Sequence, residues 1–264
     1  MKADERERYE VAIAAAQEAG AIARRYFPDT SAAAFARQVE WKKDNSPVTI
    51  ADREAEDHLR KVLLERFPND CFLGEESGDS SGTSGYRWIV DPIDGTRSFI
   101  RGIPMWATLV GLQRGTELIA GVVHEPSLGN TYRALRGDGA FKNDRLIHVS
   151  AVERLEHAML CTCDLNFFEA AGQVDVCLRL ARKVQRQRGY GDYFGFVLVA
   201  QGSADVMLDY GVHPWDVGAL IPLVLEAGGT FTDWTGAPMF ESPFALATNG
   251  KLESEVLAVV AASI

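Results

Sequence analysis

The chain has 264 residues, 47% of them hydrophobic and 24% charged, which is too apolar for a disordered chain and ordinary for a globular one. That length fits one large domain or two small ones, each with a real core. Asp plus Glu number 37 against 27 Lys plus Arg, and the net charge of −10 makes nucleic acid and anionic membrane poor partners while leaving carboxylates to spare for divalent cations.

The span Met1 to Glu10 is highly charged and lacks the apolar stretch of a secretory signal. No segment approaches the ~20 apolar residues of a spanning helix. Cys71, Cys161, Cys163 and Cys177 show no zinc-type spacing, which points to reduced thiols and a cytoplasmic location. Apolar residues from Tyr9 to Phe27 recur at helical spacing and stop at Pro28. An irregular stretch runs to Trp41, and Ser46 before Pro47 reads as a turn residue. A second helix follows Thr49, with Ala55, Leu59, Val62, Leu63 and Phe67 on one face. The segment from Gly74 to Gly85 reads as a loop.

The period then changes. A short strand, Arg87 to Val90, runs into Asp91, and strand-like runs at 107–112, 118–124 and 131–135 suggest an antiparallel meander. From about Ser150 the pattern is a strand at 158–163, a helix at 167–184, a helix at 194–202 and a strand at 204–208. A helix at 214–227, strands at 230–234 and 244–248, and a helix at 251–262 complete it. Helices mixed with antiparallel strands in two halves, 1–148 and 149–264, predict a layered α+β architecture.

The chemistry concentrates in Asp91-Pro92-Ile93-Asp94-Gly95-Thr96. Two carboxylates at a strand end, separated by a rigid turn, can aim at one spot, and hard dications need such oxygen ligands, backbone carbonyls included. The turn exposes the Ile93 carbonyl, and the Gly95 and Thr96 amides are placed to receive an anion such as phosphate. Asp-Gly alone would be an ordinary turn, but the full hexapeptide after a strand favours a site. Three other segments are weaker taken singly. Gly74-Glu75-Glu76-Ser77 could be a solvated acidic loop. Thr49 to Asp52 could be a helix-capping box, and Asp216 in His213-Pro214-Trp215-Asp216 could simply favour a helix dipole. Four such segments in one chain are harder to dismiss. The histidines form no ligand cluster, and His213 reads as structural.

In order and spacing, Gly-Glu-Glu-Ser, Trp-Ile-Val-Asp-Pro-Ile-Asp-Gly-Thr, and Trp-Asp before an apolar helix ending Glu-Ala-Gly-Gly resemble the signature set of the inositol monophosphatase superfamily. The resemblance runs from Thr49 to Gly229. It implies a layered α/β/α/β/α sandwich and a lithium-sensitive phosphomonoesterase using two or three Mg²⁺ ions, acting on a small-molecule phosphate monoester, as a homodimer. It assigns Glu75, Asp91, the Ile93 carbonyl, Asp94 and Asp216 as metal ligands, with Glu75 counted in the catalytic set. Glu76 would stand behind them. Thr96 with Asp52 would orient and deprotonate the attacking water, and Gly95 and Thr96 would hold the phosphate.

Within the superfamily, Arg97-Ser98-Phe99-Ile100 is similar to the Lys-Ser-Phe-Ile of histidinol-phosphatases, with Arg97 for lysine. The segment Gly191-Asp192-Tyr193-Phe194-Gly195-Phe196 resembles their Gly-Asp-Cys-Tyr-Gly-Tyr, with Tyr193 for cysteine. The resemblance therefore implies L-histidinol phosphate as substrate, selected by Asp192, Asp209, Arg188 and Arg97. Asp192 and Asp209 could pair with the ammonium and imidazole. Tyr193 or Trp106 could stack on the ring, although Trp106 reads better as core. Inositol 1-phosphate or a broad range of sugar phosphates is the alternative, and a non-catalytic metal-binding relative is a third.

Overall fold

The computed structural model describes residues 2–28, 39–41 and 47–261. Ser46 and most of the irregular stretch before Trp41 lie outside them, as does the last residue of the helix expected at 251–262. Helix α1 (Ala3–Arg24) turns Tyr9, Ala12, Ala15, Ala16, Ala19 and Ala23 inward. These small side chains let it lie close to α2 (Ile50–Arg66), whose buried face carries Ala51, Ala55, Leu59 and Leu63. Arg8 of α1 grips the buried Asp70 through two hydrogen bonds of 2.8 and 2.9 Å.

The two helices cover one face of the larger sheet. Its strands are β3 (Cys71–Gly74), β4 (Gly78–Ser80), β5 (Tyr86–Asp94), β6 (Ala107–Arg114), β7 (Glu117–Glu125), β8 (Asn130–Leu135), β9 (Gly139–Lys142) and β10 (Arg145–Ile147), after a short hairpin of β1 (Glu40–Trp41) and β2 (Pro47–Val48). The order is β10-β9-β8-β7-β6-β5-β3-β4, so the expected meander forms from β5 to β10. Two expectations are corrected here. Part of the 74–85 loop pairs with β3 as β4. The strand predicted to end at Asp91 continues through Pro92 to Asp94, where its register against β6 shifts. Proline has no N–H for the ladder, so pairing breaks there and the chain bulges.

Along β6 and β7, Val110, Leu112 and Val122 face the α1–α2 layer, while Leu109 and Val123 face the other way. That second face meets α6 (Asp192–Ala200), α7 (Pro214–Val217) and α8 (Leu220–Glu226), which follow the single turn α3 (Thr96–Phe99), α4 (Leu165–Ala170) and α5 (Val174–Ala181) in the chain. Beyond them lies a smaller sheet of β11 (Met159–Thr162), β12 (Arg186–Arg188), β13 (Val206–Tyr210), β14 (Thr230–Thr232) and β15 (Phe244–Thr248), in the order β12-β11-β13-β15-β14. β11 runs parallel to both neighbours, where the sequence suggested antiparallel pairing. α4, α5 and α9 (Glu253–Ala261) close the outer face. The result is the expected α/β/α/β/α sandwich.

Two helices expected to be continuous are broken. Gly172, with φ of +67°, separates α4 from α5. The helix over 214–227 parts at Gly218 and Ala219, for a packing reason. Gly111 and Gly121 face each other across β6 and β7 and leave a slot in the sheet. The Gly218–Ala219 backbone sits in it so closely that a Cβ on Gly121 would lie 1.9 Å from the Ala219 carbonyl oxygen. This contact brings α7, and with it Asp216, down toward the end of β5. Gly121→Ala should therefore lift α7 and cost about 2 kcal/mol in urea unfolding, the scale of an overpacked core. Unchanged stability would contradict the slot.

Candidate active site

β3 runs parallel to β5 with Gly74 opposite Val90, so Glu75 follows directly beside Asp91. The Glu75 amide completes this register by donating to the Val90 carbonyl. Asp91 is 2% exposed and Asp94 is 7% exposed. Asp91 Oδ1 accepts the Ile93 amide at 2.9 Å, a tight turn that folds the bulge back on itself. Thr108 Oγ1 fixes the Pro92 carbonyl at 2.9 Å. Gly95 follows with φ of +87°, and a Cβ there would stand 2.9 Å from the Met105 carbonyl, so the turn into α3 requires glycine. The Ile93 carbonyl already accepts the Thr96 hydroxyl at 2.9 Å and keeps a second lone pair for another partner.

Asp52 and Asp216 are presented by the same device. Each is the third residue of its helix, and one carboxylate oxygen accepts the backbone N–H of the capping residue, Thr49 or His213, at 2.7 Å. The capping reading of Thr49–Asp52 is therefore correct, and Asp216, read from the sequence as favouring a helix dipole, also closes a capping box. The cap fixes one oxygen of the side chain and leaves the other free for another partner. In Asp52 that oxygen lies 3.4 Å from Thr96 Oγ1, longer than the bond from Thr96 to Ile93.

Electrostatics join these groups. Burial raises the Asp91 carboxyl well above the ordinary range, and Glu75, Asp94, Asp216 and Asp52 raise it further. Asp94 is raised by burial, then by Asp192 and Asp216. Asp52 is pushed up to about 6 by burial, against the hydrogen bonds from Thr49, with Glu76 adding to the rise. Among the described residues no basic side chain forms an ion pair with Asp91 or Asp94, and no three His, Cys, Asp or Glu side chains stand as a ready-made cage. The acids share a field rather than a set of touching oxygens. The donor set is all oxygen and strongly negative, which fits a hard dication such as Mg²⁺.

The selecting residues divide. Asp192 sits at the solvent edge with φ of +53°, its carboxylate Oδ2 3.4 Å from where a Gly95 Cβ would be. Crowding by protein, then Asp164 and Asp216, raise its carboxyl, and Arg97 opposes them. Asp209 is buried on β13 and pushed up to about 7 by burial, partly offset by a hydrogen bond from Cys163. Arg188 is exposed at the end of β12, with its guanidinium on the Gln187 carbonyl, and none of its described contacts reaches the acids. The stacking role of Tyr193 is corrected, and the core reading of Trp106 holds. Tyr193 and Trp106 are both fully buried, Trp106 against Phe27 and Phe99, so neither ring is open to a ligand.

Sequence reasoning missed Glu56. It is 2% exposed on α2 and accepts the Glu76 amide at 2.8 Å and the Ser77 amide at 2.7 Å, so it shapes the Glu75–Glu76 turn. Gly74 makes room for it, since a Cβ there would meet its carboxylate at 2.4 Å. Its place one helical turn after Asp52 was the available signal. Glu56, Glu75, Glu76, Arg53 and Asp57 line a cleft of about 430 Å³. A second cavity of about 80 Å³, beside Trp234 and Phe244, lies in the outer layer away from these acids.

Family and relatives make this five-layer sandwich a phosphoric monoester hydrolase. The chain belongs to the inositol monophosphatase family, whose model matches residues 4–263. It is 40% identical over 229 residues to a histidinol-phosphatase of Streptomyces coelicolor, covering 83% of this chain and 86% of that one. It is 38% identical over 203 residues to an inositol-1-monophosphatase of Rhizobium meliloti, covering 75% and 76%. The crystal structure of the extragenic suppressor protein suhB from Bartonella henselae superposes with a TM-score of 0.89 at 31% identity, covering 97% and 98%.

Glu56→Gln turns an amide donor toward two backbone donors. The Glu76 and Ser77 amides should lose protection from hydrogen exchange, with a local cost of roughly 1–3 kcal/mol. Unchanged protection would contradict the role given to Glu56.

Proposed function

We propose that the chain is a Mg²⁺-dependent phosphatase that hydrolyses L-histidinol phosphate to L-histidinol and phosphate. The observation that carries the metal reading is the parallel register that sets Glu75 beside the buried Asp91, with the buried Asp94 at the bulge of the same strand. In this reading, Glu75, Asp91, the Ile93 carbonyl, Asp94 and Asp216 hold two or three Mg²⁺ ions. The N-terminal half, 1–148, supplies most of these ligands, and the C-terminal half supplies Asp216 and the selecting acids. Bound Mg²⁺ would lower the pKa of a coordinated water and neutralise phosphate oxygens. The free thiols fit a reducing, cytoplasmic setting. A homodimer carries over from the family resemblance alone.

The chain's own groups do the rest. The Gly95 and Thr96 amides receive the phosphate at the start of α3. Thr96 Oγ1 turns from the Ile93 carbonyl toward Asp52 and orients the attacking water. Asp52 takes up its proton, and its raised affinity for protons suits a base that works near neutral pH. Water oxygen bonds to phosphorus as the ester oxygen leaves, and that oxygen gains a proton from solvent. No side chain becomes phosphorylated.

Support for the substrate comes from the rim. The exposed Asp192 stands beside the Gly95 turn, so the site offers a carboxylate where a cationic amino alcohol would sit, with the buried Asp209 behind it. The 40% identity to a histidinol-phosphatase points the same way, while the 38% identity to an inositol-1-monophosphatase keeps the polyol phosphate as the second reading.

One assay series tests both parts. Phosphate release should require Mg²⁺, and kcat/KM for histidinol phosphate should exceed that for inositol 1-phosphate by roughly 100-fold or more. Asp91→Asn should lower kcat on the order of 10³-fold. Full activity in chelator, or in Asp91→Asn, would end the metal reading. A preference for inositol 1-phosphate would end the substrate reading alone.

A further inference from the structure

Tyr193 is fully buried, yet both of its polar ends are used. Its hydroxyl donates to Glu125 Oε1 at 2.9 Å, and its backbone amide donates to Asp94 Oδ2 at 2.9 Å. Glu125 is itself fully buried at the end of β7 and is held from its other side by Asn130 Nδ2 at 2.7 Å. The Glu125 carbonyl accepts the Gly129 amide at 2.8 Å, so the β7–β8 turn that carries both residues is closed. Among the described residues, the Tyr193 amide is the one hydrogen-bond donor to the Asp94 carboxylate.

The residue before Tyr193 is the strained one. Asp192 occupies the left-handed region with φ of +53°, which aspartate tolerates better than most L residues but still at a cost. Gly191, on its other side, is pressed against β11: a Cβ on it would lie 3.1 Å from Cys163 Cα. The first turn of α6 is thus fixed at Gly191 by packing and at Tyr193 by its hydroxyl. Between the two, the Asp192 carboxylate is set beside Gly95 and the Tyr193 amide is set on Asp94.

We propose that Tyr193 is a positioning residue for Asp94, anchored through Glu125, and that this buried tether sets the cation affinity of the site. The proposal rests on the reading of Asp94 as a cation ligand. A hydrogen bond that fixes one oxygen of a ligating carboxylate orients the other, and loss of such a partner weakens metal affinity. Phenylalanine at 193 would keep the ring's packing, leave Glu125 half-satisfied and free the first turn of α6 to shift. A paired apolar replacement, Tyr193→Phe with Glu125→Leu, removes the bond while relieving the buried carboxylate, which recovers fold stability but not the anchor.

The test is Mg²⁺ titration of the substrate-free protein by isothermal titration calorimetry, with melting temperature recorded separately. Wild type, Asp94→Asn, Tyr193→Phe, Glu125→Leu and the Tyr193→Phe/Glu125→Leu pair are compared. Tyr193→Phe should weaken Mg²⁺ binding by roughly tenfold. The pair should melt closer to wild type than Glu125→Leu does, yet bind Mg²⁺ as weakly as Tyr193→Phe. Mg²⁺ binding within twofold of wild type in Tyr193→Phe or in the pair would overturn the tether, whatever happens to melting. Wild-type affinity in Asp94→Asn would overturn it as well. A wild-type protein that binds no Mg²⁺ would instead bring down the metal reading itself, and the tether with it. Should Tyr193→Phe fail to fold, the pair decides.

Discussion

Like charges buried at short range repel, and burial itself penalises a carboxylate, so a protein that gathers several at one strand end must restrain them from every side. Asp91 and Asp94 are in that position, each raised by burial and by acids from elsewhere in the chain. Much of the surrounding structure reads as restraint. The bulge at Pro92 turns Asp91 onto its own Ile93 amide, and helix caps hold one oxygen each of Asp52 and Asp216. Glu56 shapes the Glu75 turn from beneath, and the Tyr193 amide holds Asp94. The mutual charge of these acids is unfavourable by itself and would be relieved by a hard dication.

The five layers make this arrangement reachable. Glu75, Asp91, Asp94 and Thr96 lie on the larger sheet and the turn that leaves it, so the local register is enough to group them. Asp216 comes from far along the chain. It arrives because Gly111 and Gly121 open the sheet face and Gly218–Ala219 fills the gap. The packing of the middle layer therefore sets the position of Asp216, and in the proposed reading a substitution at Gly121 would act on the chemistry through backbone position.

The acids proposed to carry the chemistry were legible in the sequence because their spacing is local: a strand, a proline, a second carboxylate and Gly-Thr. The layered fold was legible for a similar reason, since strand and helix periods alternate along the chain. What was hidden depends on long-range contact. Glu56 reads as an ordinary helix acid until the fold lays the Ser77 amide on it. Tyr193 reads as an aromatic open to a ligand until Glu125, from the other half of the chain, captures its hydroxyl. The break at Gly218 was hidden because the apolar period runs through it unchanged, and only the glycine pair on β6 and β7 explains it. Parallel pairing of β11 was missed because the helices between its neighbours were read without the crossovers they make.

Specificity is the part of the account most sensitive to charge. The rim carries the exposed Asp192, with Arg97 set against it, while Asp209 is buried behind it and Arg188 is exposed. In the proposed reading, this rim would favour a cationic leaving group over a neutral polyol, provided that cations held by the deeper acids neutralise the phosphate. That proviso is the centre of the account. Crystals grown with Mn²⁺ in place of Mg²⁺, and measured at the manganese absorption edge, test it directly. The account predicts anomalous peaks with Asp91 oxygens at about 2.0–2.6 Å and with Glu75, Asp94 or Asp216 completing the shells. A well-ordered map with saturating Mn²⁺ and no peak beside Asp91 or Asp94 would contradict it.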